Sequence, residues 1–521
     1  MAILRDRLAP FTLGLLGLLS LGVATPDAAG QAAPDLKAFR LEAPNPAGAK
    51  QSRMNDLKTG KVRVKGPDYA ANKQLLQEFA NSRVYPVTFE TYYSQETKGE
   101  LKPRAGEQSL DVLLGDLQSY LLVPTPERDL PKLTPDQAEF VVEYGAALDQ
   151  AFAAVFAKNP PPVIRVNAAR LFAEAARTGA PALGKSVQAM LTNTYFKSKP
   201  AADKTTKPVE TPPEVLLYAL RAAENLLAAH DPAARDSQFS TRHSLPDADL
   251  VTLVKVLEDL VVKGPPVAGK AAAAAVDTFG QPIALPAAAE DAKEGEAKEA
   301  DAKPDAPKAA PAAATALTPE QVAVVRYYRR AAIRALAKVR FDTVGSKGGP
   351  GGEARPAFTL AKVAVSDATL SLPSTPADAA EAVLGLAGMA PVTAVTALNI
   401  DAWQAAIATG MSAYAQPRMA SGDDRTIPWK VTSARLDGAF AALKRGTVNS
   451  PRLRPVAGPL ANLCDIVSAD ILAPLLKESQ VGSDRPSTDR LQEWQRNSAP
   501  KDAGRGFYTD SPQMTLSFRA K

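Results

Sequence analysis

Residues 165–177 read RVNAARLFAEAAR, and this stretch decides how the rest of the chain is read. Its small Ala residues leave one helix face open to close approach by a neighbour, while Leu171 and Phe172 fill the space between. Residues 217–230 (LYALRAAENLLAAH) and 329–340 (RRAAIRALAKVR) repeat the pattern. Aligned on Arg170, Arg221 and Arg334, the three copies stand 51 and 113 residues apart, and the longer interval contains a low-complexity insert. Without that insert the two intervals become close, as expected of helix pairs stacked in series.

The start signals also repeat. Thr134-Pro135-Asp136-Gln137 and Thr318-Pro319-Glu320-Gln321 each offer a Thr cap, a Pro at the first helical position and a Gln that closes a capping box. Leu133 and Leu317 precede them as candidate staples. Thr211-Pro212-Pro213-Glu214 repeats the device, and Thr375-Pro376-Ala377-Asp378 is a looser copy. One supersecondary unit used several times is the simplest source of such reuse.

On these residues, VIRVNAARLFAEAA (163–176) and YYRRAAIRALAKV (327–339), the chain resembles the second helix of HEAT/armadillo-type repeats. With its leader it is similar to exported helical-repeat proteins of planctomycete-type bacteria. The resemblance implies a mainly α fold, an irregular α-solenoid, and an exported address; it brings no activity with it.

Arg5 and Arg7 precede a 14-residue apolar run, 11–24 (FTLGLLGLLSLGVA), followed by small residues through Ala33. Residues 1–30 therefore read as a secretory signal, too short between Pro10 and Pro26 for a spanning helix. The expected address is periplasmic or extracellular, with no transmembrane segment after cleavage. Residues 31–66 read as a flexible lead-in and 67–263 as an N-terminal helical region. Helices are expected from about residue 69 and over 109–122, and residues 84–93 are expected as an edge strand or extended loop. Residues 264–317, rich in Ala, Lys, Glu and Pro, read as a disordered linker.

A C-terminal helical region is expected over 318–480, with helices near 376–389, 401–415, 433–444 and 459–477. Pro474 should kink or stop the last of these near Ala473. SKGGPGGEARP (346–356) reads as a second flexible break. The remainder, 481–521, reads as a polar tail with one short strand at 513–519 whose candidate partner is the segment around Phe89.

Composition narrows the function. Of 521 residues 45% are hydrophobic and 22% charged, so the chain as a whole is globular. One cysteine, Cys464, excludes an internal disulfide and a Cys-cluster metal site. Only His230 and His243 could serve as imidazole bases. His230 reads as a cation at a helix C-terminus and His243 as part of a polar loop. There is no G-x-S-x-G elbow, no phosphate loop and no haem-attachment motif. Three Trp, at 403, 429 and 494, are few for a carbohydrate groove, and Asp423-Asp424 reads as a turn.

Net charge is +5, but it is uneven. Residues 290–308 hold seven acids against four lysines. The 418–454 stretch holds Arg418, Arg425, Lys430, Arg435, Lys444, Arg445, Arg452 and Arg454 against three Asp. That stretch reads as a solvated surface, with polyanion docking as its functional alternative. Arg170, Arg221 and Arg334 read as a ladder that bonds from repeat to repeat or lines a partner-binding face.

The sequence thus points to an exported scaffold or protein-binding protein of the cell envelope, with no cofactor, catalytic residue or metal expected and nucleic acid not expected as a partner. The alternatives are an α-helical hydrolase acting on cell-wall polysaccharide or peptidoglycan, and polyanion binding through 418–454.

Overall fold

Two of the four capping devices lie within the described residues and both form, while Thr211, Pro212 and Thr318 lie outside them. Thr134 Oγ1 accepts the Gln137 N–H at 3.3 Å while Gln137 Oε1 accepts the Thr134 N–H at 2.9 Å. Thr375 and Asp378 make the same reciprocal pair at 3.2 and 3.0 Å, the shorter Asp standing in for Gln. A proline opens each of the helices starting at residues 135, 162, 181, 213, 319, 356 and 376, where its missing N–H is no loss.

The computed structural model describes residues 36–90, 110–120, 134–192, 195, 213–230, 245–264, 275–276, 282–283, 319–349, 351–389, 397–419, 428–449, 453–477, 485–498 and 506–517. Over these the chain is mainly helical. The first eight helices are α1 (Ala49–Thr59), α2 (Tyr69–Val84), α3 (Leu110–Tyr120), α4 (Pro135–Ala157), α5 (Pro162–Ala175), α6 (Pro181–Leu191), α7 (Pro213–Ala229) and α8 (Asp247–Lys263). Then come α9 (Pro319–Leu336), α10 (Pro356–Ala364), α11 (Pro376–Gly388), α12 (Ile400–Met419), α13 (Trp429–Asn449), α14 (Ala457–Ile466), α15 (Ala473–Leu476) and α16 (Asp489–Ser498).

Helices two apart in sequence pack side by side. The odd helices α3, α5, α7, α9, α11 and α13 form one file, and the even helices α2, α4, α6, α8, α10 and α12 form another. Consecutive helices bridge the files at α4–α5, α6–α7, α8–α9 and α10–α11, and α14 and α16 close the far end. Between the files runs one continuous core from Met54 to Tyr508, with Trp403, Tyr144 and Tyr414 among its largest members. The two files come close where side chains are absent. A Cβ on Gly385 of α11 would lie 2.8 Å from the Ala337 backbone just past α9, and 2.6 Å from Leu360 of α10. Two helices, α4 and the run Arg454–Leu476, are long and apolar enough to cross a membrane by length and composition. Here both contribute to the core, through Phe140, Phe152, Leu463 and Ile471.

Several expectations are corrected. The lead-in contains α1, which buries Met54 and Leu57. Residues 84–90 carry a 3-10 turn at Tyr85–Thr88 instead of a strand, because Pro86 fixes φ and brings no N–H to a ladder. The supposed flexible break is ordered: β3 (Val344–Gly345) and β4 (Glu353–Ala354) form an antiparallel hairpin, with Gly345 in the left-handed region at φ +79°. The polar tail contains α16, whose Leu491 and Trp494 are buried. Residues 513–517 are not a strand, and the bridge in this region joins Tyr508 to Leu398, so Phe89 is not its partner. Of the expected linker, Ala275–Val276 (β1) and Pro282–Ile283 (β2) pair antiparallel, and most of the remainder lies outside the described residues. The insert departs from Gly264, whose Cα side faces Val325 of α9, so its ends are anchored on adjacent helices.

The helix before Pro474 does not stop at Ala473. It widens into a π turn over Val467–Leu472 and continues as α15. Proline clashes with the carbonyl four residues earlier and cannot donate to it. That carbonyl belongs to Asp470, and it accepts the Ser487 N–H at 2.9 Å instead.

Candidate functional site

Along the odd file the arginine positions fall on successive helices. Arg170 lies half-buried on α5, Arg221 is exposed on α7, and Arg334 sits on α9. Arg334 Nε donates to Glu381 of α11 at 2.9 Å. Arg435 of α13 reaches the same carboxylate with two guanidinium bonds, 2.9 Å to Oε1 and 3.0 Å to Oε2. One turn earlier, Arg330 Nε donates to Asp378 Oδ1 at 2.9 Å and its Nη2 to Thr375 at 2.9 Å. Residue numbers rise together on α9 and α11, so these helices run parallel. Farther along, Asn225 of α7 donates to the Ala173 carbonyl of α5 at 2.7 Å, and Lys338 lies 3.6 Å from Glu224. The result is a polar seam crossing five helices.

Its buried members are held charged. Burial works to raise the Asp378 carboxyl, but the Arg329 and Arg330 guanidiniums outweigh it and keep it below the usual carboxylate range. Burial likewise opposes ionisation of Glu381, and the bonds and charges of Arg435 and Arg334 prevail. Arg329 is wholly buried and donates to the Leu372 carbonyl at 2.6 Å, fixing the loop that enters α11. Each carboxylate is held between guanidiniums, which suits helix-to-helix attachment better than proton transfer.

A second polar cluster lies where the hairpin, α8 and α10 meet. Arg355, just before α10, donates from Nη1 and Nη2 to Asp510 at 2.9 and 2.8 Å, pairs with Glu353, and stacks 4.2 Å over the Tyr508 ring. Tyr508 Oη donates to the Asp342 carbonyl at 2.7 Å. A cleft of about 450 Å³ opens beside them, lined by Asp247, Asp342, Lys347, Glu353, Arg355 and Asp510. The Arg355 bonds hold the Asp510 carboxyl down to about 2. Glu258 of α8 caps α10 from outside, accepting the Arg355 N–H at 3.1 Å and the Thr359 hydroxyl at 3.3 Å. Burial pushes it up to about 7 despite those bonds.

The basic stretch does not gather in one patch. Arg435 belongs to the seam, Lys444 pairs with Asp465 of α14, and the Arg418 guanidinium lies 5.9 Å from the Trp429 ring. Lys430, Arg445 and Arg454 are exposed, while Arg425 and Arg452 lie outside the described residues. All three Trp are buried. His230 is buried at the α7 end, where its Nδ1 accepts the Leu245 N–H at 3.3 Å. Cys464 is buried, and burial pushes its thiol up to about 12. His243, Asp423 and Asp424 lie outside the described residues. Among the described residues no group of His, Cys, Asp and Glu is arranged to hold a metal ion.

Glu381 and the whole Arg355 cluster were not singled out in the sequence, and Asp378 was marked there only as part of a helix start. Glu381 follows Thr375-Pro376-Ala377-Asp378 by three residues, so the alignment of helix starts is the one local signal that could have marked it. For Arg355 and Asp510, 155 residues apart, there is none. No protein-family model, curated protein or solved structure matches the chain.

Proposed function

We propose that the chain is an exported scaffold of the cell envelope: an irregular α-solenoid of HEAT-like helix pairs that binds a protein or another envelope component. The observation that carries this reading is the packing order, in which helices two apart stack into two files around one core. Stacked helix pairs of that kind present an extended surface made of repeated positions. Two further observations support it. The carboxylates that cross the odd file, Asp378 and Glu381, are each held by guanidiniums within it. The three Trp that a sugar-binding cleft would recruit are in the core, which favours scaffolding over the hydrolase.

The test is capture by the purified chain from an envelope extract of its source, at low and high salt. A stoichiometric protein complex that co-elutes on size exclusion and survives high salt is the expected result. Turnover of wall polysaccharide or peptidoglycan without such a complex would overturn the reading. Capture lost at high salt, and limited to anionic polymer, would instead favour a polyanion-binding protein.

A further inference from the structure

The seam is not uniformly matched in charge. Between Arg334 and Arg435 stands Glu381, which takes three hydrogen bonds from the two guanidiniums. The preceding step, from α7 to α9, has a different composition. The end of α7 lies beside the start of α8, through His230 and Leu245, and the end of α8 lies beside the start of α9, through Gly264 and Val325. Helices α7 and α9 therefore run parallel. Glu224 meets Lys338, two residues past the end of α9, so Arg221 and Arg334 each lie about one turn before that contact on neighbouring helices. Among the described residues Arg221 forms no ion pair, and its guanidinium rests 5.1 Å over the Tyr218 ring. Arg334 donates to Glu381 through Nε, and its side chain is 46% exposed. Arg221 therefore has no carboxylate partner among the described residues, and Arg334 on the neighbouring helix has Glu381 alone.

The same face of α9 carries Val324 and Tyr327 at 47% and 38% exposure, large apolar side chains left uncovered. Tyr327 precedes Arg334 by seven residues, two helical turns or about 10 Å along the axis. An extended chain covers about 10 Å in three residues. An extended polypeptide can place an acidic and an apolar side chain at that spacing.

We propose that the α7–α9 seam binds an acidic polypeptide segment of the partner, running along the two helices, with a Glu or Asp carboxylate bridging Arg221 and Arg334 and an apolar residue three positions away covering Val324 and Tyr327. This rests on the scaffold reading and names the surface through which it works. The Glu381 site is the internal pattern for the bond: one carboxylate between guanidiniums of neighbouring helices, with the planar donors set for bidentate contact.

The test uses the full chain and a labelled peptide of Glu-Thr-Thr-Leu repeats, a composition that favours extended backbone, read by fluorescence anisotropy. Binding is expected, and Arg221→Gln and Arg334→Gln are each expected to weaken it by about tenfold. Lys430→Gln, exposed on α13 and off the seam, should leave it unchanged. A peptide with Gln for Glu should not bind. Arg221 is exposed and forms no ion pair among the described residues, so a Tm equal to that of the unaltered chain shows the variant is folded. No binding, equal binding by Arg221→Gln, or tighter binding of a single-stranded nucleic acid of equal charge that is weakened by the same variants would overturn the proposal. If Arg221→Gln still captures the envelope partner, the seam assignment fails while the scaffold reading stands; if the unaltered chain captures none, the scaffold reading itself fails.

Discussion

Arg329 and Arg355 are both buried guanidiniums that hold an aspartate, yet they secure different levels of the structure. Arg329 reaches Asp378, 49 residues on, from one helix of a file to the next. Arg355 reaches Asp510, 155 residues on, and ties the C-terminal residues across the even file. Around Arg355 the returning chain is also fastened by Phe507, Tyr508 and the Ser517 N–H, which donates to Asp367 at 2.6 Å. The file seam is a nearest-neighbour device that joins each helix to the next in its file. The C-terminal strap is a single closure, and its removal should leave the files themselves standing.

The largest effect is expected at the seam. Asp378→Ala leaves Arg329 buried without its carboxylate and removes the α11 capping box, a loss of about 3–5 kcal/mol. Chemical denaturation measures it, and a loss under about 1 kcal/mol would show that the pair does not join α9 to α11. Gly385→Ala, which crowds the Ala337 backbone, should cost about 1–3 kcal/mol by the same measurement.

The strap should respond differently. Arg355→Met is expected to free residues 506–517, so that their amides exchange rapidly while α9 and α11 keep their protection. Loss of protection throughout would mean that the strap and the files unfold as one unit. Low pH reports on the same contact. The Asp510 carboxyl sits at about 2 against 3.8 in an ordinary setting. The stability from its pairing with Arg355 is therefore fully present above 3.8 and is lost as pH falls through about 2.

Glu258 has the opposite sign. Its carboxyl lies at about 7 against an ordinary 4.5, so between those values the folded chain holds a proton that the unfolded chain has released. Stability consequently falls as pH rises through that window. Glu258→Gln keeps an oxygen for the Arg355 N–H and the Thr359 hydroxyl while removing the buried charge. It should stabilise the chain by on the order of 1–2 kcal/mol above about pH 8 and by nothing below about pH 4. Destabilisation above pH 8 would show that the ionised cap is what α10 requires. The smallest effect is expected from Tyr508→Phe, about 1 kcal/mol, for one hydrogen bond to the Asp342 carbonyl.

Much of the helical plan was legible because helix starts are local chemistry. Thr134 with Gln137 and Thr375 with Asp378 are chosen by residues within one turn of each other. The placement of α7 and α9 likewise follows from runs of Ala and Leu that form helices in any context where one face is covered. The alignment of Arg170, Arg221 and Arg334 has the right order of helices, since these lie on α5, α7 and α9 of one file. What each arginine meets was not legible: Arg221 stacks on Tyr218 of its own helix, and Arg334 takes Glu381 from the next. The misread segments share a cause. Residues 351–356, 485–498 and 506–517 are polar or rich in Gly and Pro, and they are ordered by partners far away in sequence.

By itself the sequence determined the mainly helical class, the helix starts at its Thr-Pro signals and the series of Ala-rich helices, since propensity and capping act within a few residues. Only the tertiary structure decided which helices are neighbours, where Pro474 widens a helix without ending it, and which carboxylate each arginine holds. Those outcomes depend on groups tens to more than a hundred residues apart, and nothing local to either partner records the pairing.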